Sequence, residues 1–137
     1  MGSSFVSLQG VGYWTSDATL EVWLHFLVRE LDKTQDPPPW LLELREDCHI
    51  KSAAGGSGWK APDLDRLLTT DERRELLAVI SEGAVAELER YGEYMTVGEL
   101  NALQTGGEGS YFAQDCRTEY FKNEGRHFIK LLRGEIL

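Results

Sequence analysis

The feature that most constrains this chain is a set of leucines spaced for a helix. Leu20, Leu24, Leu27 and Leu31 recur at i, i+4, i+7 and i+11, which aligns one apolar stripe along an α-helix and matches no face of a strand. Such a stripe has to be buried against another element, so the chain is committed to a packed core that contains helices. The spacing predicts a helix from Asp17 to Lys33, with Ser16 or Asp17 as the cap whose side-chain oxygen accepts the free N–H groups of the first turn.

Further helices follow from punctuation. Asp36-Pro37-Pro38-Pro39 stops the first helix, and its last proline suits the opening position of a second that carries Trp40, Leu41, Leu44 and Cys48. Gly55-Gly56-Ser57-Gly58 ends that helix, and Pro62 to Leu68 reads as a short one. Thr69 and Glu72 have capping-box spacing ahead of a long helix from Asp71 to Tyr91, in which Gly83 marks a close helix contact. Thr96 and Glu99 repeat that spacing before a short helix, and a last helix is expected from Ala113 to Arg133, closed by Gly134. Val6 to Gln9 alternate as a strand does but find no convincing partner, so residues 1–15 read as an irregular arm. The expected fold is all-α, a compact bundle of four to five helices forming one domain over residues 1–137. A chain of this length buries enough surface to need no metal or disulfide staple. Cys48 and Cys116 show neither CxxC nor zinc spacing and are expected as buried thiols in a reducing cytoplasm.

Charge narrows the class of partner. The chain holds 23 acidic and 14 basic residues, a net charge of −9, which disfavours nucleic acid and anionic membranes, because both bind through Lys and Arg on phosphate. No segment approaches the ~20 apolar residues of a membrane span, and the first residues lack the pattern of a secretory signal. The acidic excess lies wholly in the first hundred residues; residues 101–137 carry five acidic and five basic side chains. That imbalance points to an acidic face that docks a basic protein, with Glu21, Asp32, Glu43 and Glu46 steering it and Phe26 or Trp40 as an apolar anchor.

A second constellation lies on the last helix. Arg117, Tyr120, Glu124 and His127 recur at i, i+3, i+7 and i+10, on a line that runs partly inside the apolar face of Phe121, Phe128, Leu131 and Leu132. Buried Arg117 and Glu124 require partners from another helix, for which Asp17, Asp47 and Glu87 are candidates. Such a line is either a packing network or a polar cleft in which Glu124 and His127 handle protons. Lys122, Arg126, Lys130 and Arg133 fall on the opposite, solvated side. His25, His49 and His127 sit in no metal spacing, and no cofactor or metal is expected. The loops Gly55–Trp59 and Gly106–Tyr111 match no phosphate-binding motif and are expected as turns with an aromatic anchor.

Gly12-Tyr13-Trp14-Thr15-Ser16-Asp17 with Leu20-Glu21-Val22-Trp23-Leu24, Leu41 to Glu46, and Gly106-Gly107 with Tyr111 and Asp115 resemble small acidic bacterial proteins with no assigned activity. The likeness covers most of the chain after residue 10 and transfers no site. In acidity, size and single-domain character the chain is also similar to immunity proteins that neutralise toxic enzymes, a similarity of type rather than of motif. The expectation is therefore a non-enzymatic binding module, of the immunity type, for a basic protein. The alternative is a small enzyme or ligand binder using Arg117, Tyr120, Glu124 and His127, and a homo-oligomeric structural module is a third.

Overall fold

The computed structural model describes residues 2–136. Its first element corrects the expected irregular arm. Strand β1 (Ser3–Leu8) and strand β2 (Val11–Ser16) form an antiparallel hairpin in which Ser3 faces Ser16 and Leu8 faces Val11. The loop is the two residues Gln9 and Gly10, both at positive φ (54° and 82°), the backbone that a tight hairpin turn demands. The missing partner of the alternating Val6–Gln9 segment is thus the segment that directly follows it.

Helix α1 (Asp17–Leu31) starts at Ser16, whose side chain accepts from the Thr19 N–H. Helices α2 (Pro39–Ala53), α3 (Leu64–Leu67) and α4 (Asp71–Leu88) follow, the last capped by Thr70 rather than Thr69. Strand β3 (Tyr94–Met95) precedes α5 (Val97–Ala102), where Thr96 and Glu99 complete the expected capping box. Strand β4 (Cys116–Arg117) pairs antiparallel with β3, and α6 (Thr118–Leu132) begins only after it. The Thr118 N–H and hydroxyl donate to the carbonyls of Glu93 and Gly92, so pairing with the chain before α5 fixes where α6 starts. Among the described residues the fold is therefore mixed α/β, with six helices and two small antiparallel sheets, and not the all-α bundle expected. None of these helices is long and apolar enough to cross a membrane. Both cysteines are free thiols, Cys48 within the core and Cys116 on β4 instead of a helix.

Helix α1 is the hub, packed against α2, α4 and α6. Beyond the leucine stripe it buries Val22, Trp23 and Phe26, so its apolar face is far wider than one stripe. Phe26 is 1% exposed, edge-on to Tyr91 and roofed by the Arg29 guanidinium. Gly83 of α4 does mark a close helix contact, with an added Cβ 2.4 Å from Glu30 Oε1 of α1. A second lies at Gly125 of α6, where a Cβ would stand 2.6 Å from both Trp23 Cζ3 and Val85 Cγ2, core side chains with less freedom to move than the Glu30 carboxylate.

The hairpin is held to α1 by a buried polar network. Lys60, with no exposed surface, places Nζ 2.8 Å from Glu21 Oε2, also donates to the Ala54 carbonyl, and lies 4.9 Å from the Trp59 ring centroid. One turn earlier on α1, Asp17 accepts from the Ser4 hydroxyl (2.5 Å) and the Gly58 N–H (2.9 Å). The Ser4 oxygen in turn accepts from the Lys60 N–H (3.0 Å). Ser52 donates to the Glu21 carbonyl while its own carbonyl accepts from the Gly106 N–H. The two glycine-rich loops are consequently pressed together, and a Cβ on Gly107 would sit 2.6 Å from the Gly55 nitrogen.

Two stability measurements test this packing. Gly125→Ala should lose about 1–3 kcal/mol through overpacking against Trp23 and Val85, whereas Gly83→Ala should be near neutral because Glu30 can swing aside; urea unfolding of both variants checks the contrast. Lys60→Met strands the Glu21 carboxylate and should lose about 3–5 kcal/mol. Adding Glu21→Leu should recover part of that loss, and a double variant weaker than Lys60→Met alone would contradict the pairing.

Candidate functional site

The line on α6 reaches the hairpin. Tyr120, Glu124 and His127 lie on one face of the helix, and β2 lays Tyr13 and Thr15 against it while Trp14 turns to the other side of the hairpin to pack on Phe5 (centroids 5.2 Å apart). Between β2 and α6 opens a cleft of about 280 Å³. Tyr13, Trp14, Tyr120, Asn123, Glu124 and His127 line it, with Thr15 and the capping residues of α1 at one end. Trp14 and Tyr120 are 70% and 59% exposed, while Glu124 is only 5% exposed and forms the floor. Among the described residues no lysine or arginine lines this cleft.

The carboxyl of Glu124 faces two hydroxyls of β2. The Thr15 hydroxyl donates to Oε1. Oε2 and the Tyr13 hydroxyl are both buried, and they lie close enough to act on each other as a hydrogen-bonded pair, although the geometry between them is not that of a full hydrogen bond. Two other buried polar atoms lack partners among the described residues, Trp23 Nε1 and Ser81 Oγ, but neither residue lines the cleft. Burial raises the Glu124 pKa above the usual carboxylate range, against the opposing pull of the Thr15 and Tyr13 hydroxyls. Burial also raises the Tyr13 phenol, helped by the Glu124 charge, so the pair competes for a proton in a poorly solvated place. The Tyr13 ring leans on His127, with centroids 5.6 Å apart.

Arg117 does not belong to this site. It precedes α6 on β4, is exposed, and sits over the Tyr94 ring at 5.7 Å. Nor do the expected acidic partners reach Glu124 or Arg117: Asp17 serves Ser4 and Gly58, Asp47 serves Lys51 and the Asp63 N–H, and Glu87 serves Arg29 of α1 and Arg90 just past α4. The sequence reading missed Tyr13 and Thr15, whose alternation Tyr13-Trp14-Thr15 is the only signal that could have placed two of them on one strand face.

The expected partner-docking residues scatter. Glu21 and Phe26 are interior, so they offer nothing to a partner, and burial raises the Glu21 pKa while Lys60 opposes the shift. Asp32 holds Arg45 through both its oxygens, at 2.9 and 3.2 Å. Glu46 also reaches Arg45, and Glu43 pairs with Arg66. Trp40 is half-buried with the Arg73 guanidinium 5.0 Å over its ring. Four of the acids expected to steer a basic protein therefore already neutralise cations of their own chain. Trp59 anchors its glycine loop through Nε1 to the Gly55 carbonyl, while the second loop does not open α6, since β4 intervenes. Among the described residues no group of three His, Cys, Asp or Glu is placed to hold a metal.

No family model, curated protein or solved structure matches this chain.

Because the Glu124 pKa is raised on folding, its contribution to stability is full below the ordinary carboxylate value and is lost as pH rises through the folded value. Glu124→Gln removes that loss. Urea midpoints from about pH 4 to about pH 8 should show the variant gaining on the wild type as pH rises, with the two converging in acid. Parallel profiles would refute the raised pKa.

Proposed function

We propose that this chain is a non-enzymatic binding protein for a basic partner, and that the cleft between β2 and α6 is where it takes hold of a cationic group. One observation carries this reading: a carboxylate 5% exposed, met by the hydroxyls of Thr15 and Tyr13 and by no cation, at the floor of an open cleft that no lysine or arginine lines among the described residues. A buried carboxylate without a cation stays costly until a positive charge meets it. The flanking rings of Tyr13 and Tyr120 offer π faces, which attract cations and not anions. The chain's net charge of −9 supplies the long-range field that brings a basic partner in. This keeps the kind of partner expected from composition and moves its anchor from the α1–α2 surface to the hairpin and α6.

Titration of the ¹⁵N-labelled protein with a peptide rich in both Lys and Arg tests the reading. Amide shifts should concentrate on residues 13–16 and 120–127 and weaken as salt is added, and an acidic peptide of equal length should cause none. Shifts confined to Asp32, Glu43 and Glu46, or no shifts at all, would overturn it.

A further inference from the structure

We infer that two copies of this chain associate through the outward face of α4, packed antiparallel about a twofold axis at the middle of that helix. The face contains no residue that lines the cleft between β2 and α6, so this inference and the cation-site reading stand or fall separately.

The outward face of a helix packed on a core is ordinarily polar. That of α4 is apolar at its centre. Glu72, Leu76, Val79, Gly83, Ala86 and, just past the helix, Arg90 recur at alternating steps of four and three, the spacing that keeps one seam in line between two helices. Leu76 is 40% exposed and Val79 53%, and Ala86 is exposed as well. The opposite side of α4 is already in use, with Leu77, Ala84 and Leu88 buried where α1 and α6 pack on the helix. Over Gly83 the nearest atoms belong to the Glu30 side chain, which reaches across from α1 and can turn away. The stripe is therefore a second apolar face with no partner among the described residues.

The occupant follows from the order of residues along the stripe, which is complementary to itself. With two α4 helices antiparallel and the axis at the level of Ser81, each residue meets the one equally far on the other side of that level. Leu76 then meets Ala86 of the second copy, Val79 meets Gly83 of the second copy, and Glu72 meets Arg90 of the second copy. A large side chain faces a small one, which lets the two surfaces interdigitate, and an acid faces a base. Twofold symmetry makes every such pair twice. On the side toward α6, Glu75, Glu82 and Glu89 run beside the same row of the second copy. Repulsion there is offset by Arg133, which lies 3.0 Å from Glu75 and 3.1 Å from Glu82 and so stands within each row. A helix of 18 residues is about 27 Å long. That is a short seam against the ~800 Å² per partner of a standard interface, so the dimer is a weak one that fills at high concentration.

Sedimentation equilibrium of the full chain from about 10 µM to about 1 mM tests this. It should show a reversible equilibrium between monomer and dimer. On dilution of the ¹⁵N-labelled protein, amides of residues 72–90 should shift while those of residues 13–16 stay in place. Val79→Glu puts a charge at an exposed position that the monomer tolerates, and should weaken the dimer roughly tenfold or more with an unchanged far-ultraviolet spectrum. Glu72→Arg sets like charges face to face at both ends of the seam and should weaken it roughly three- to tenfold. Adding Arg90→Glu restores opposite charges with their places exchanged, and should return the affinity to near the wild-type value. A chain that stays monomeric up to about 1 mM overturns the inference and leaves the stripe to a different partner. A dimer indifferent to Val79→Glu lies on another surface and overturns it equally. Failure of the double variant to recover overturns the antiparallel register.

Discussion

The buried ion pair between Glu21 and Lys60 is the interaction on which the rest of this structure depends. A lysine with no exposed surface is a heavy desolvation cost, tolerable only because a carboxylate, a carbonyl and an aromatic face meet its head. Those partners come from α1 and from the glycine-rich turn after α2, so the pair clamps sequence-distant segments at one point. Asp17 continues the clamp by holding Ser4 and Gly58. In this way a hairpin that would be marginal by itself gains a fixed seat on the helical core. Gly107 makes sense in the same terms. It lets the second glycine-rich loop close on the first with backbone against backbone, where a Cβ would not fit.

The seat determines what β2 does. With Ser4, Val6 and Leu8 of β1 turned inward, the register places Tyr13 and Thr15 against α6. Thr15 then occupies one oxygen of Glu124 and Tyr13 roofs the other. The candidate site is therefore a consequence of strand pairing and not of the helix line alone. The same geometry excludes Arg117, because β4 pairing with β3 takes that residue out of the helix and over Tyr94. Charge is sorted along similar lines. Arg133 engages Glu75 and Glu82 of α4, and Arg126 and Lys122 engage Glu119. Much of the surface charge is thus spent within the chain, and Glu124 stands apart as a buried acid that, among the described residues, meets hydroxyls and no cation.

How much of this was legible in the sequence depends on range. The starts of α1, α2 and α4, the stop at Pro37–Pro39, the Thr96–Glu99 capping box and the Tyr120–Glu124–His127 part of the polar line follow from spacings of three to five residues and appear where expected, whereas α6 begins at Thr118 and not at Ala113. The hairpin was missed although Gln9-Gly10 is a turn signal, because its flanks are short and Gly12 interrupts the second strand's pattern. Glu21 and Phe26 read as surface residues because they lie off the leucine stripe. Only the packing of α2, α4 and α6 around α1 leaves it so narrow an outer face, and periodicity within one helix cannot count its neighbours.

By itself, then, the sequence determined the local elements, since caps, prolines and apolar periods act within one or two turns of backbone. It also determined the net negative charge, which composition fixes whatever the fold. Tertiary structure alone decided which acids are free. Lys60 lies 39 positions from Glu21 and Thr15 lies 109 from Glu124, and no local propensity encodes such meetings. Burial, hydrogen-bond satisfaction and pKa are properties of those meetings. A carboxylate becomes a ligand site only when packing has removed its water and has not supplied its full set of partners.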